Sequence, residues 1–273
     1  MRPLHHALYT NAFGNRAAGF RPLFQAPGWP SADQERIVRW LRSLQPIASE
    51  AKRIGVAVNC FRLAGTIHAC LAQVDGGFAR DEHGRPGGLL AHALLTPLVE
   101  GQPPGPFSLA LLAASRELQR PAVNDTEKLD VYLAQCKATR ELTYPEPDLG
   151  ELLRIDSALL RRFFAVASNR SRGEVAFAVG SAEELTELIA RASALLPPRL
   201  ALAWRWAIDL RAAPEQTFLA RPVRETTPEG SGPGTAYAGW LRQRLAAGCG
   251  REVTALTENW EIRSWDDLLA RIW

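Results

Sequence analysis

Apolar and polar residues alternate loosely over residues 5–13 and again over 20–25, on either side of breaks at Gly14-Asn15 and Gly19. This period of two predicts two strands joined by a turn-rich loop. After Pro27, Gly28 and Pro30 the period changes: Ile37, Val38, Trp40, Leu41 and Leu44 recur at helical intervals, and Ser31 followed by Gln34 has the spacing of a capping box. A helix over residues 32–44 is expected. Residues 56–63 and 66–74 then read as a hairpin about Ala64-Gly65, although the Asn-Gly or Asp-Gly pair favoured in such turns is absent. Residues 75–88 hold five glycines among charged residues and read as a loop, and residues 89–95 as a buried strand or the start of a helix. Pro103-Pro104-Gly105-Pro106 marks a boundary, because proline withholds the hydrogen bonds of helix and ladder alike. Residues 115–147 are weakly patterned and polar, a connector with one helix over 126–138.

The second half is patterned more strongly. Residues 149–167 are helical in period, 174–179 form a short strand, and Ser181 with Glu184 starts a helix that Pro197-Pro198 ends. Over residues 200–210 the alternation is sharp, with Leu200, Leu202, Trp204, Trp206, Ile208 and Leu210 on one side, which predicts the strongest strand of the chain. Helix, strand, helix, strand in this order suggests a small α/β unit whose strands run parallel through a crossover. Residues 228–234 are a Gly/Ser/Pro-rich linker, followed by short helices over 237–247 and 264–273, the last capped by Ser264 and Asp267. The expected architecture is α+β: an antiparallel-sheet N-terminal domain with a packed helix over residues 1–110, a connector over 111–148, a small α/β domain over 149–225, and a linker with a helical C-terminal tail over 226–273.

Composition narrows the class. Of the 273 residues 47% are hydrophobic and 22% charged, the balance of a globular protein able to bury a core. No apolar run reaches the roughly 18 to 20 residues of a spanning helix, and no apolar stretch follows the first residues as in a secretory leader, so a cytoplasmic protein without membrane contact is expected. The net charge of +3 is a mild excess. Lysine occurs only at Lys52, Lys128 and Lys137, an arginine bias that fits a GC-rich bacterial genome better than phosphate recognition. Nucleic-acid binding is therefore unsupported.

Candidate chemistry is sparse. Cys60, Cys70, Cys136 and Cys249 are spread out with no C-x-x-C pair, so neither a zinc knuckle nor a redox motif is indicated, and neither metal nor cofactor is expected. His68 and His92, with Cys60 and Cys70 nearby, are the residues from which a thiol–imidazole pair would be built. The glycine-rich segment 76–88, with Arg85 and Asp81, invites comparison with a phosphate cradle but matches neither G-x-x-x-x-G-K-[ST] nor G-x-G-x-x-G. It reads instead as a long hairpin loop. Eight tryptophans are present, and Trp260, Trp265 and Trp273, in the short amphipathic tail, are the candidates for partner binding.

One resemblance organises these fragments. His5-x-Ala7-Leu8-Tyr9-Thr10, then Gly19-Phe20-Arg21 before Pro27-Gly28, then residues 67–77, then Gly84-Arg85 leading to His92, together resemble the N-terminal domain of the bacterial GTPase-associated protein 1 family. Residues 151–221, with Leu196-Pro197-Pro198 ahead of an aromatic stretch, resemble that family's middle domain. Gly87 and Ala93 stand where the family has Asn and a second His, so no ligand role carries over to them. The resemblance implies an accessory component encoded beside GTPases in bacterial conflict or defence systems. The expected function is a non-catalytic adaptor or regulator that contacts a GTPase or other NTPase subunit. A hydrolase using Cys60 or Cys70 with His92, and a subunit of a nucleic-acid-binding complex, are the alternatives.

Overall fold

The computed structural model describes residues 2–10, 23–24, 29–45, 54–80, 86–98, 107–118, 126–143, 154–169, 173–210, 218–224 and 232–273. The Gly19-Phe20-Arg21 and Pro27-Gly28 elements, Asp81, Arg85 and the proline run at 103–106 lie outside them. Among the described residues the chain is α+β, as its pattern predicts.

The strands are β1 (Arg2–Pro3), β2 (His5–Thr10), β3 (Leu23–Phe24), β4 (Ile54–Leu63), β5 (Thr66–Arg80), β6 (Pro86–Leu98), β7 (Glu141–Leu142), β8 (Gly173–Ala178), β9 (Trp206–Ile208) and β10 (Phe218–Val223). The helices are α1 (Ser31–Ser43), α2 (Phe107–Glu117), α3 (Thr126–Ala138), α4 (Ser157–Ser168), α5 (Ala182–Ala194), α6 (Pro198–Ala203), α7 (Pro233–Ala246), α8 (Gly250–Thr257) and α9 (Trp265–Ile272). One sheet runs in the order β3-β2-β6-β5-β4-β9-β10-β8, and β1 pairs separately with β7. Its first part is antiparallel. At β4 against β9 (Val56↔Ile208, Ala57↔Ala207, Val58↔Trp206) it joins a parallel part in which β10 lies between β9 and β8. The antiparallel strands of the first half and the parallel strands of the second thus share one hydrogen-bonded ladder.

Period-two alternation divides the sheet into two buried faces. On one face Ala7, Tyr9, Ala57, Phe61, Leu63, Cys70, Ala72 and Val74 pack with Ile37, Trp40 and Leu41 of α1. On the other, Leu4, Leu8, Val56, Val58, Leu71, Leu90 and Leu94 pack with α2, α3, α5 and the helices beyond.

Local signals account for the starts of three helices. Asp156 accepts hydrogen bonds from the Ala158 and Leu159 N–H groups ahead of α4, Ser181 accepts from Glu184 N–H ahead of α5, and Ser264 with Asp267 forms a reciprocal capping box on α9. The α5 arrangement departs from the reciprocal form, because the Glu184 carboxylate accepts from Gly180 N–H and not from the cap residue. For α1 the expectation fails: the N-cap position is Pro30, Ser31 is the first helical residue, and no side chain caps the helix.

Two larger corrections concern strands. The expected loop over 75–88 is mostly ladder, since β5 runs to Arg80 and β6 starts at Pro86, with Phe78↔Gly88 and Arg80↔Pro86 paired past an irregularity between Asp75 and Phe78. The register shift there breaks the period-two signal without ending the strand. The expected strand over 200–210 is α6 followed by a three-residue strand. Pro198 at the first turn has φ preset for a helix, and Leu-Ala-Leu-Ala is as good a helix former as it is an alternating pattern. All three residues of β9 are buried, as befits a strand between two others in a covered sheet. Asp209, with φ of 53°, then moves Leu210 to the α1 face, away from the face of Ile208.

Candidate functional site

β2 and β6 are adjacent and antiparallel, with Leu8 opposite His92 and Leu94 opposite His6. The two histidines are therefore diagonal neighbours on one face, alternating with Leu4, Leu8, Leu90 and Leu94. Helix α3 crosses this face, and Tyr132 and Cys136, four residues apart on it, point at the pair. All four side chains are buried, His92 at 3% exposure being the most accessible.

His6 Nδ1 lies 3.0 Å from His92 Nε2, His6 Nε2 lies 2.6 Å from the Thr139 carbonyl oxygen, and His92 Nδ1 meets the Tyr132 hydroxyl. A carbonyl can only accept, so His6 carries its proton on Nε2. Burial pushes the His6 pKa down, opposed by the Thr139 hydrogen bond and aided by the neighbouring His5 charge, so the ring is neutral and Nδ1 holds a lone pair. His92 must then donate from Nε2, and its Nδ1 accepts from the Tyr132 O–H. The chain Tyr132→His92→His6→Thr139 satisfies every ring nitrogen without a net charge. Cys136 Sγ stands 4.0 Å from His92 Nε2. His6, His92 and Cys136 offer three potential metal-ligand atoms within 4.8 Å of one another.

The thiol–imidazole pairs named from the sequence do not assemble. His92 faces Gln73 on β5, which faces Val56 on β4, and Cys60 is four residues further along β4, about 13 Å by strand rise alone. Cys70 is buried on the opposite sheet face from His92, in the layer covered by α1. Burial raises the Cys70 thiol pKa well above its ordinary value, with Cys60 adding to the effect. It pushes Cys60 up to about 12, which the Arg205 charge offsets only in part. Both thiols are protonated near neutral pH. His68 also lies apart from His92, in a ring group with His5 at 5.9 Å and Trp29 at 5.4 Å, its Nδ1 3.1 Å from the Thr66 carbonyl.

Cys60 lines a second feature, an open recess of about 780 Å³ at the turn end of the β4–β5 hairpin. Arg36 comes from α1, Arg62 from β4, Arg199 from α6, Arg205 from the residue just before β9, and Arg263 with Trp260 from the segment between α8 and α9. No Asp or Glu is among its described lining residues. Arg199 Nε donates to the Trp260 carbonyl at 2.7 Å, tying the tail to α6, and the Arg36 guanidinium lies 5.4 Å from the centre of the Phe61 ring. Of the three tail tryptophans, half-buried Trp260 faces this recess. Trp265 packs near Phe164 and Tyr237 and donates from its indole nitrogen to the Ala167 carbonyl, which is a core role. Trp273 is 88% exposed.

A third feature, a crevice of about 630 Å³, opens at the carboxyl ends of the parallel strands, where Asp209, Gln73, Ser115 and the start of α5 meet. Open α/β sheets commonly bind ligands in this position.

Sequence reasoning singled out His92 but missed His6, Tyr132 and Cys136 as its companions. The signals available were the placement of His6 between Leu4 and Leu8 and the i, i+4 spacing of Tyr132 and Cys136. Neither brings residues 6, 92 and 136 together without the fold. No family model matches the chain, and neither a curated protein nor a solved structure matches it.

Proposed function

We propose that the chain is a non-catalytic adaptor or regulator that docks on a GTPase or other NTPase subunit of a bacterial conflict or defence system. The observation that carries this reading is the arginine recess. Five arginines from five segments of the chain line one cavity beside Trp260, and Arg and Trp are the residue types that dominate partner-binding hot spots. Guanidinium forks match carboxylates and phosphates in pairs, so the recess suits an acidic loop of a partner or a phosphate group it presents. The order of the N-terminal motifs, which resembles the GTPase-associated family, supplies the class of partner. Burial of the His6, His92 and Cys136 side chains, and protonation of the Cys60 and Cys70 thiols, favour a binding role over thiol catalysis.

The test is co-purification with the products of neighbouring genes, followed by measurement of their nucleotide hydrolysis with and without this protein. Binding should fall at least tenfold when Arg199→Glu and Arg263→Glu are combined. The reading is abandoned when no neighbour co-purifies and no hydrolysis rate changes. Retention of a labelled oligonucleotide at low salt, lost in the same double variant, would move the assignment to a nucleic-acid complex.

A further inference from the structure

We propose that His6 Nδ1, His92 Nε2 and Cys136 Sγ form a binding site for a borderline-soft divalent cation, with zinc as the expected ion. The donors come from three elements far apart in sequence, β2, β6 and α3, and converge within 4.8 Å. Two imidazole nitrogens and one thiolate are a donor set suited to zinc.

The spacing fits with small movements. Tetrahedral coordination with bonds of about 2.0 Å to nitrogen and 2.3 Å to sulfur places the two nitrogens about 3.3 Å apart and each nitrogen about 3.5 Å from sulfur. The nitrogens now stand 3.0 Å apart, and the sulfur 4.0 Å from His92 Nε2. Those two separations need changes of only a few tenths of an ångström, and the His6–Cys136 separation, within 4.8 Å, closes as the thiolate moves toward the ion.

The surroundings match what ligating histidines require. The second nitrogen of such a ring is normally held by a carbonyl, carboxylate or hydroxyl that fixes its tautomer. Here the Thr139 carbonyl holds His6 Nε2 and the Tyr132 hydroxyl holds His92 Nδ1. His6 is already in the binding tautomer. His92 must move its proton from Nε2 to Nδ1, whereupon the Tyr132 oxygen changes from donor to acceptor. Cys136 loses its thiol proton to solvent as the metal–sulfur bond forms, so binding releases one proton and changes no oxidation state. Three protein ligands leave a fourth tetrahedral position.

Because the three side chains are buried, the ion is expected to enter as the chain folds and to exchange slowly afterwards. The full-length chain is refolded from denaturant with cobalt(II), a spectroscopic stand-in for zinc, and the zinc content of protein purified from zinc-supplemented cells is measured in parallel. The expected results are one metal ion per chain and a thiolate-to-cobalt charge-transfer band. Cys136→Ser should abolish the band and lower zinc content at least tenfold, whereas Cys249→Ser should keep both. A wild-type protein without the band, or a Cys136→Ser protein that retains it, overturns the proposal. Should Cys136→Ser fail to fold, X-ray absorption of the zinc-loaded wild type decides: one sulfur and two imidazoles support the site, and no sulfur removes it.

Discussion

His6 Nδ1 and His92 Nε2 stand 3.0 Å apart across the β2–β6 ladder, although 86 positions separate them in the chain. The relationship follows from register alone: Leu8 lies opposite His92, two residues from His6 on the same face. Its consequence is directional. The Thr139 carbonyl fixes the proton on His6, His6 fixes the proton on His92, and His92 requires a donor from Tyr132. One backbone oxygen at the end of α3 thereby orders three side chains from three elements.

Tyr132→Phe tests that order. The substitution keeps the ring and its packing and removes the O–H that His92 Nδ1 accepts, leaving a buried acceptor unsatisfied. Loss of one partner in a buried pair costs about 1–3 kcal/mol. Urea unfolding of the metal-free protein should show a loss in that range at pH near 7.5. A change within about 0.3 kcal/mol would mean that the hydroxyl contributes nothing to the chain of hydrogen bonds.

Stability should fall with acid below the ordinary histidine pKa. Burial lowers the pKa of both His6 and His68, with His5 adding to each shift, while the Thr139 and Thr66 carbonyls, and Asp33 for His68, oppose it. The unfolded chain takes up protons on these rings near pH 6.5, before the folded chain does. Stability is therefore complete above that value and lost as pH falls from it toward the lower folded values, at up to about 1.4 kcal/mol per pH unit for each ring. Unfolding midpoints measured from pH about 7.5 to about 5.5 should decline over the lower half of that range, and His68→Gln should reduce the slope. A flat profile for the wild type contradicts the assignment.

Periodicity makes much of the fold legible in the sequence. Residues 126–138 and the Ala64-Gly65 hairpin stand where the pattern places them, because each depends on contacts within a few residues. The strand expected over 200–210 failed where two local rules conflict: alternating Leu and Ala suit either structure, and Pro198 decides for a helix. β10 drew no signal at all. It is defined by pairing with β9 and β8 on its two sides, and that information is not local. The candidate site was legible only in part for the same reason. His92 stood out as a histidine in an apolar run, while His6 and Cys136 acquire meaning from strand register and from the position of α3.

Ala64→Asn should stabilise the protein. Ala64 and Gly65 both have positive φ, 47° and 81°, so the β4–β5 turn places a residue with a Cβ where Asn or Gly is preferred. The Ala64 side chain is exposed and its N–H donates to Asp33 at 2.8 Å, an interaction Asn leaves intact. A gain of about 0.5–1 kcal/mol in thermal or urea unfolding is expected, and Gly65→Ala should act in the opposite direction. Destabilisation by Ala64→Asn would show that strain at this turn is not relieved by the residue type.

Gly234→Ala should be among the most damaging conservative changes available. Gly234 lies in the first turn of α7, which packs against α4, and a Cβ built there would fall 1.8 Å from the Phe164 carbonyl oxygen and 2.2 Å from its carbon. Those atoms are backbone inside a helix, so no rotamer change makes room. Relief requires α7 to move off α4, disturbing Phe164 against Tyr237 at 5.1 Å and the Tyr237 O–H that donates to the Leu195 carbonyl at 2.5 Å. Overpacking that side chains absorb costs about 1–3 kcal/mol, and a backbone clash belongs at or beyond the upper end. Gly239→Ala, on the same helix with open space around its Cβ position, is the matched control and should be neutral or stabilising by up to about 1 kcal/mol. Equal stability of the two variants would mean that α4 and α7 do not meet as closely as their backbones place them.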